Sequence, residues 1–327
     1  MQPWHEFIES QDLAKPVCTA AVCPVTQHGL LYVGGDDAQN FLQNQLSNDI
    51  GQVDSKHAQI SSFSNAKGRM LAIFRVIAIE GGYLLLMPRE IIDQVQSQLQ
   101  RYVLRSQVVL ADVSDSFGLL TVSSFDLAAD PRFCAEVNGV FQSDSLITLR
   151  LNDSVDGPRY LAISNDPAEL VELWQTLTES CKACDESTWR LQEVRAGVPT
   201  LYQDTMGAFV LQMTNLQQLD GVNFKKGCYP GQEVVARMQY LGKLKRRMYR
   251  ATLNSGHCPS PGDELRERGG AESASSGKVV DAIPVAHGQS ELLLVGRIDQ
   301  AEAGSLVLSD QPDATLELQQ LPYDLPQ

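Results

Sequence analysis

One short stretch concentrates residues able to do chemistry: Lys225-Lys226-Gly227-Cys228-Tyr229-Pro230-Gly231-Gln232-Glu233. A thiol acts as nucleophile or metal ligand in its thiolate form, which nearby positive charge and the amides at a helix start both favour. Two lysines precede this sulfur, two glycines and a proline impose a tight path, and a helix can begin at Gly231 or Gln232. Cys228 is therefore placed to be nucleophilic, redox-active or metal-binding. The plainer alternative is a small thiol filling a buried site beside a turn. Basic residues continue past it: Lys225, Lys226, Arg237, Lys243, Lys245, Arg246, Arg247 and Arg250 stand against a single acid, Glu233. The chain as a whole carries a formal charge of −14, which opposes a non-specific grip on nucleic acid or an anionic membrane. The local run is either a solvated face or an anion site for a polyglutamate tail, a phosphate or RNA.

The other cysteines are Cys18, Cys23, Cys134, Cys181, Cys184 and Cys258. Scattered and odd in total, they do not describe a disulfide framework. Cys181-Lys182-Ala183-Cys184 has redox or zinc spacing, but no second pair and no spaced histidine pair accompanies it. It also follows a helical pattern instead of opening a helix after a strand. His257-Cys258 has no partner motif, and no metal site is expected. Among 327 residues, 43% are apolar and 20% charged, enough for two or three packed units. No apolar run nears the roughly 18 residues of a membrane helix, and the longest, residues 70–79, contains Arg75. The start lacks a charged segment leading into an apolar core, so a cytoplasmic protein is expected.

These residues need a frame. Asp36 caps an amphipathic helix over residues 36–46, with Phe41, Leu42 and Leu46 on one face. Runs 70–79 and 83–87 flank Glu80-Gly81-Gly82 and predict a hairpin. Residues 91–104 have helical spacing, and strands are expected at 117–123, 146–151 and 159–164. Asp166-Pro167-Ala168-Glu169 opens the clearest helix, with a capping acid, a first-turn proline and a third-position acid. A further helix from about Ser187 stops at Gly197-Val198-Pro199. After Arg247 only short strands are expected, at 248–253, 278–283, 291–298, 305–308 and 315–318. Their spacing suggests a small β-barrel. The reading is an α+β chain, residues 1–240 forming two α+β subdomains and 241–327 the barrel.

The peptide from Lys226 to Glu233 resembles the signature K-G-C-Y/F-x-G-Q-E of the YgfZ family, whose members look like the T-protein of the glycine cleavage system. Asn65-Ala66-Lys67-Gly68-Arg69 is similar to another family segment, and Phe41-Leu42-Gln43-Asn44-Gln45 with Asn48-Asp49 resembles its early helix. Trp189 through Pro199, then Gln212-Met213-Thr214-Asn215-Leu216, and finally Leu321-Pro322-Tyr323 continue the match in order. The resemblance implies an aminomethyltransferase-like three-part ring with a central folate site and a cytoplasmic location. It also implies a role in tRNA modification through support of iron–sulfur enzymes such as a tRNA methylthiotransferase, and a link to replication initiation. Cys228 is the implied chemical residue, within a motif of Lys226, Gly227, Tyr229, Gly231, Gln232, Glu233 and Arg237. Folate (tetrahydrofolate or a derivative) falls to Trp189 as stacking surface, His28, Asn65, Lys67 and Asn215.

Three departures bear on activity. The T-protein pattern N-x-x-G-G-I-x-D-D puts Ala72 and Ile73 on the paired aspartates, and neither can accept a proton. Arg195 stands where R-L-E-A-G-M-P has its glutamate, so a carboxylate expected to clamp the pterin is missing there. His28 falls on a family aromatic position but reads first as an ordinary turn residue beside Gly29. Three functions stay open: a folate-binding accessory factor with Cys228 chemistry, a folate-dependent one-carbon transferase, or a non-enzymatic tRNA- or protein-binding scaffold.

Overall fold

A computed structural model describes residues 2–15, 20–270, 274–285 and 288–325; Cys18 lies outside the described residues. Near the N-terminus, α1 (Gln2–Glu9) is followed by β1 (Ala21–Pro24) and β2 (His28–Gly34), then α2 (Ala38–Gln45). Next come β3 (Gln59–Ser64), β4 (Met70–Ile79), β5 (Gly82–Pro88), α3 (Arg89–Val103) and β6 (Val109–Asp112). The first sheet is antiparallel in the order β3-β4-β5-β2-β6. Residues 70–79 are almost continuously apolar because β4 is covered on both faces. Ala72, Phe74 and Val76 pack under α2 and α3, while Met70 and Ile73 enter a core shared with later segments. The predicted hairpin is present, Ala78 pairing with Tyr83.

A second sheet is built from β1, β7 (Gly118–Ser123), β8 (Val140–Gln142), β9 (Leu146–Arg150), β10 (Arg159–Ser164) and the two-residue β11 (Lys182–Ala183), in the order β11-β1-β7-β10-β9-β8. The α4 helix (Pro167–Thr178) starts as its sequence predicts, Asp166 accepting from the Ala168 amide. It packs with α1 over one face, Trp4 edge-on to Trp174 at 6.2 Å. The other face meets the first sheet in one core, where Leu30, Leu84 and Leu86 join Leu119, Leu149, Leu161 and Trp189. The cysteine pair flanking β11 is split between these cores, Cys181 with α4 and Cys184 with Trp189. Two sulfurs on opposite sides of a sheet cannot share a metal or a disulfide.

After α5 (Ser187–Arg195) and α6 (Gln232–Tyr240) the chain forms β12 (Arg246–Asn254), β13 (Glu264–Glu267), β14 (Gly277–Pro284), β15 (Gln289–Arg297), α7 (Ile298–Glu302), β16 (Leu306–Leu308) and β17 (Thr315–Gln319). Their sheet runs β16-β13-β14-β15-β12-β17 and its edge strands approach one another, giving a nearly closed barrel. The interior holds Leu253, Leu265, Leu292 and Leu294. Met248, Val280, Leu293 and Val295 face outward into the core that holds Met70 and Ile73. The α+β reading thus holds, with three corrections. The Asp36 cap gives way to Asp37, β13 lies in a stretch read as loop, and α7 in a region expected to lack helix. Among the described residues no helix is long and apolar enough to cross a membrane.

Candidate functional site

Trp189 and Glu193 lie one turn apart on α5 and so share a face. That face meets His28 at the start of β2 and Ile73, Phe74 and Arg75 of β4 around a narrow cleft. Glu193 is 4% exposed and accepts from Arg159 Nη1 at 2.7 Å and from Arg75 Nη2 at 3.4 Å. Burial pushes its carboxyl up, but Arg159 and Arg75 outweigh this and hold it below the usual range. Arg75 is pushed down by the same burial, opposed by Glu193. Two guanidiniums thus share one carboxylate, Arg75 in the lining and Arg159 behind it. Burying charge is costly unless it is paired, and Glu193 is the counter-charge of both.

Several buried polar atoms of this lining lack a hydrogen bond: Trp189 Nε1, His28 Nδ1 and, behind them, Arg159 Nη2. His28 Nδ1 is 3.8 Å from Glu186 Oε1, too far for a hydrogen bond. The Glu186 carboxylate is taken instead by the amides of Thr26 at 2.7 Å and Gln27 at 2.8 Å. His28 meets Trp189 edge-on at 5.6 Å, and the Arg159 guanidinium sits 6.0 Å from the Trp189 ring centre. His28 is therefore a buried strand residue and not a turn residue. The two departures from the T-protein pattern resolve differently. Ile73 lines the cleft as an apolar group, while Ala72 faces the core beneath α2 and α3. Arg195 points to the barrel, its Nε 3.0 Å from Glu291 and its Nη1 2.8 Å from Asp156. Glu193, two residues earlier, places a carboxylate in the cleft lining. Its spacing of four from Trp189 on a predicted helix was the signal available.

The signature peptide is elsewhere. Cys228 is exposed and does not line the cleft; Gly227 and Lys225 beside it are exposed as well. Lys226 turns away from the sulfur. Its ammonium donates to the carbonyls of Gln43 at 2.6 Å, Leu46 at 2.7 Å and Asn48 at 3.0 Å. These are the orphan acceptors at and just after the end of α2, where a cation is favoured. Burial pushes the Lys226 amine down to about 8, opposed by Asp49, and with all three donors used it is not free to pair with a thiolate. The Tyr229 ring lies 5.3 Å beneath that ammonium, its phenol pushed up to about 12 by burial.

Gly231 begins α6 with φ of +81°, a conformation that favours glycine. A Cβ there would lie 2.6 Å from both the Asn65 carbonyl and Gly68 Cα. The 65–68 turn, where Asn65 Oδ1 accepts from the Lys67 and Arg69 amides, therefore carries the signature peptide by glycine-to-glycine contact. Three segments read separately in sequence thus converge: the end of α2, the β3–β4 turn and the start of α6. Gln232 is half-buried, while Glu233, Arg237 and Lys67 are exposed around this junction. Asn215 is buried with φ of +57° and donates to the Met248 carbonyl at 3.0 Å, tying the barrel down. Asn65, Lys67 and Asn215 are not in the cleft lining. Among the described residues no cluster of His, Cys, Asp or Glu could hold a metal ion.

No family model matches the chain. Curated relatives do: tRNA-modifying protein YgfZ of Photobacterium profundum is 33% identical over 304 residues, covering 91% of this chain and 89% of the relative. The protein of the same name from Yersinia enterocolitica is 29% identical over 322 residues, covering 95% and 96%. Among solved structures, the glycine cleavage system aminomethyltransferase T from Bartonella henselae superposes with a TM-score of 0.72, covering 98% of this chain and 96% of that one, at 12% identity. That likeness establishes an aminomethyltransferase T-protein fold. Identity at this level along nine-tenths of the chain, with the cysteine peptide, the 65–68 turn and α5 in the order the family has them, means that this protein belongs to the YgfZ family.

Proposed function

We propose that the chain binds a reduced folate in the central cleft and serves tRNA modification in the cytoplasm as an accessory factor, without itself transferring a one-carbon unit. The observation that carries this reading is the pair of buried, unpartnered donors or acceptors in the lining, Trp189 Nε1 and His28 Nδ1, beside a carboxylate and two guanidiniums. A pterin is flat, has a polar edge of donors and acceptors, and leads to an anionic glutamate tail. An aromatic side chain, polar atoms without partners and guanidiniums suit those three properties. Tetrahydrofolate, when bound, supplies a reduced pterin able to carry a one-carbon unit. Glu193 and its arginines would meet the pterin edge, and Trp189 and His28 the ring.

Ile73 argues against the parent reaction, because no group at that place can take or hold a proton. Cys228 is the remaining candidate for chemistry. It is exposed and does not line the cleft. Its sulfur therefore serves a partner from the surface, the partner being an iron–sulfur enzyme such as a tRNA methylthiotransferase. Calorimetry with tetrahydrofolate tests the first half: saturable binding is expected, and no heat with any reduced folate overturns it. Turnover of a labelled one-carbon folate by the purified protein would instead establish a transferase.

A further inference from the structure

We propose that the face made by α6 and the segment following it is a docking surface for an unpaired stretch of RNA, with Tyr240 as stacking platform and Lys67, Lys225, Arg237, Lys243 and Lys245 as phosphate contacts. This deepens the tRNA-modification reading and rests on it. All five cations are exposed, and among the described residues none of them forms an ion pair. Some cations elsewhere that are at least partly exposed do: Lys15 holds Asp185, Arg89 holds Asp115, Lys278 holds Glu264 and Arg297 holds Asp299. In a chain with 40 acids and 26 bases, a face with five unpaired cations and the lone acid Glu233 is complementary to a polyanion.

The geometry gathers them on one side. Lys67 joins the others because Gly68 abuts α6, a Cβ there meeting Val234 Cβ at 2.9 Å. Arg237 and Tyr240 are three residues apart, neighbours on one helix face, and line a common surface groove. The Tyr240 side of the helix is open, with 68% of that residue exposed and 86% of Leu241. Phe224 meets the Tyr240 ring at 6.4 Å with the planes 70° apart, which steadies a ring that stays largely open to a base. An exposed ring beside cations that track a backbone is how single strands are held without sequence preference. Lysine is depleted from protein interfaces, and four of the five cations are lysines, which favours RNA over an acidic protein.

The test is fluorescence anisotropy of a labelled, unmodified tRNA transcript with the full chain across a potassium chloride series. Binding should weaken with salt at a log–log slope of up to about −3.5 if all five cations neutralise phosphates. Lys243→Gln with Lys245→Gln should lower the slope magnitude by about 1.4. Tyr240→Ala should weaken binding by ~5- to 100-fold at unchanged slope. No binding by the unaltered chain at low salt, or equal binding by the variants with an unchanged melting temperature, overturns the proposal. Displacement of the transcript by an equal charge concentration of polyglutamate would also overturn it, assigning the face to an acidic protein. Folate calorimetry on the same samples separates the two readings, since the cleft shares no residue with this face.

Discussion

The cleft and the signature peptide show opposite ways of holding a functional side chain. In the cleft, charge is buried and fixed: Glu193 is gripped by two arginines, and Trp189 and His28 are held edge to face. At the signature peptide the scaffold is fixed and the reactive atom is free. Lys226 is anchored on three carbonyls, Gly231 is wedged on Gly68, and Cys228 between them is exposed. On the proposed function, the difference separates recognition from chemistry. A preorganised buried site suits a ligand that must be oriented, whereas a thiol on a rigid, outward-facing turn suits a reaction with a second macromolecule.

The sharpest way to break this comparison is Cys228→Ala. Substituting an exposed side chain should change stability by no more than about 0.5 kcal/mol, while tRNA methylthiolation in cells carrying only the variant should vanish. Normal methylthiolation there would remove the cysteine from the mechanism. Glu193→Gln should do the reverse, costing about 3–5 kcal/mol in urea unfolding because two buried guanidiniums lose their counter-charge. The carboxyl is depressed in the folded state, so its contribution is complete above the unfolded value near 4.3 and is lost as pH falls through the folded value. The stability gap between the unaltered chain and Glu193→Gln should therefore be widest at neutral pH and narrow in acid. A gap that does not change with pH would mean that Glu193 matters by shape alone.

Gly231→Ala sharpens the other half. A positive φ and a Cβ 2.6 Å from backbone atoms of the 65–68 turn should cost ~2 kcal/mol or more and shift the signature peptide. Loss of methylthiolation with folate affinity intact is expected; loss of both would mean that the two regions act as one.

What was legible in the sequence follows the same division. Helices with regular apolar spacing, α3, or with a cap, α4, and strands with continuous apolar runs, β4 and β15, stand out because a local signal determines each. β3 does not, since Gln59–Ser64 is half serine and is buried through hydroxyl contacts: Ser62 Oγ donates to Ser47 Oγ at 3.0 Å, and the Asn48 amide to Ser61 Oγ at 3.1 Å. Cys228 was singled out from its neighbouring residues and Trp189 by resemblance, while Glu193 was left out of the site because the motif put its carboxylate at Arg195. Lys226 was read as charge for the sulfur next to it. Its true acceptors lie about 180 positions away, and only the fold brings them close.

The smallest effect separates stacking from hydrogen bonding in the cleft. Trp189→Phe keeps an aromatic face and most of the packing against Leu30 and Leu161, while removing Nε1, which has no partner within the protein. If that atom binds folate, the substitution deletes one hydrogen bond from the complex and none from the free protein. The loss should then be about 0.5–1.5 kcal/mol, a roughly 2- to 13-fold weaker calorimetric affinity at ~1.4 kcal/mol per tenfold. Trp189→Ala, which also removes the ring, should weaken binding further and destabilise the core. Equal affinities of Trp189→Phe and the unaltered chain would confine Trp189 to packing and leave recognition to His28 and the Glu193 cluster.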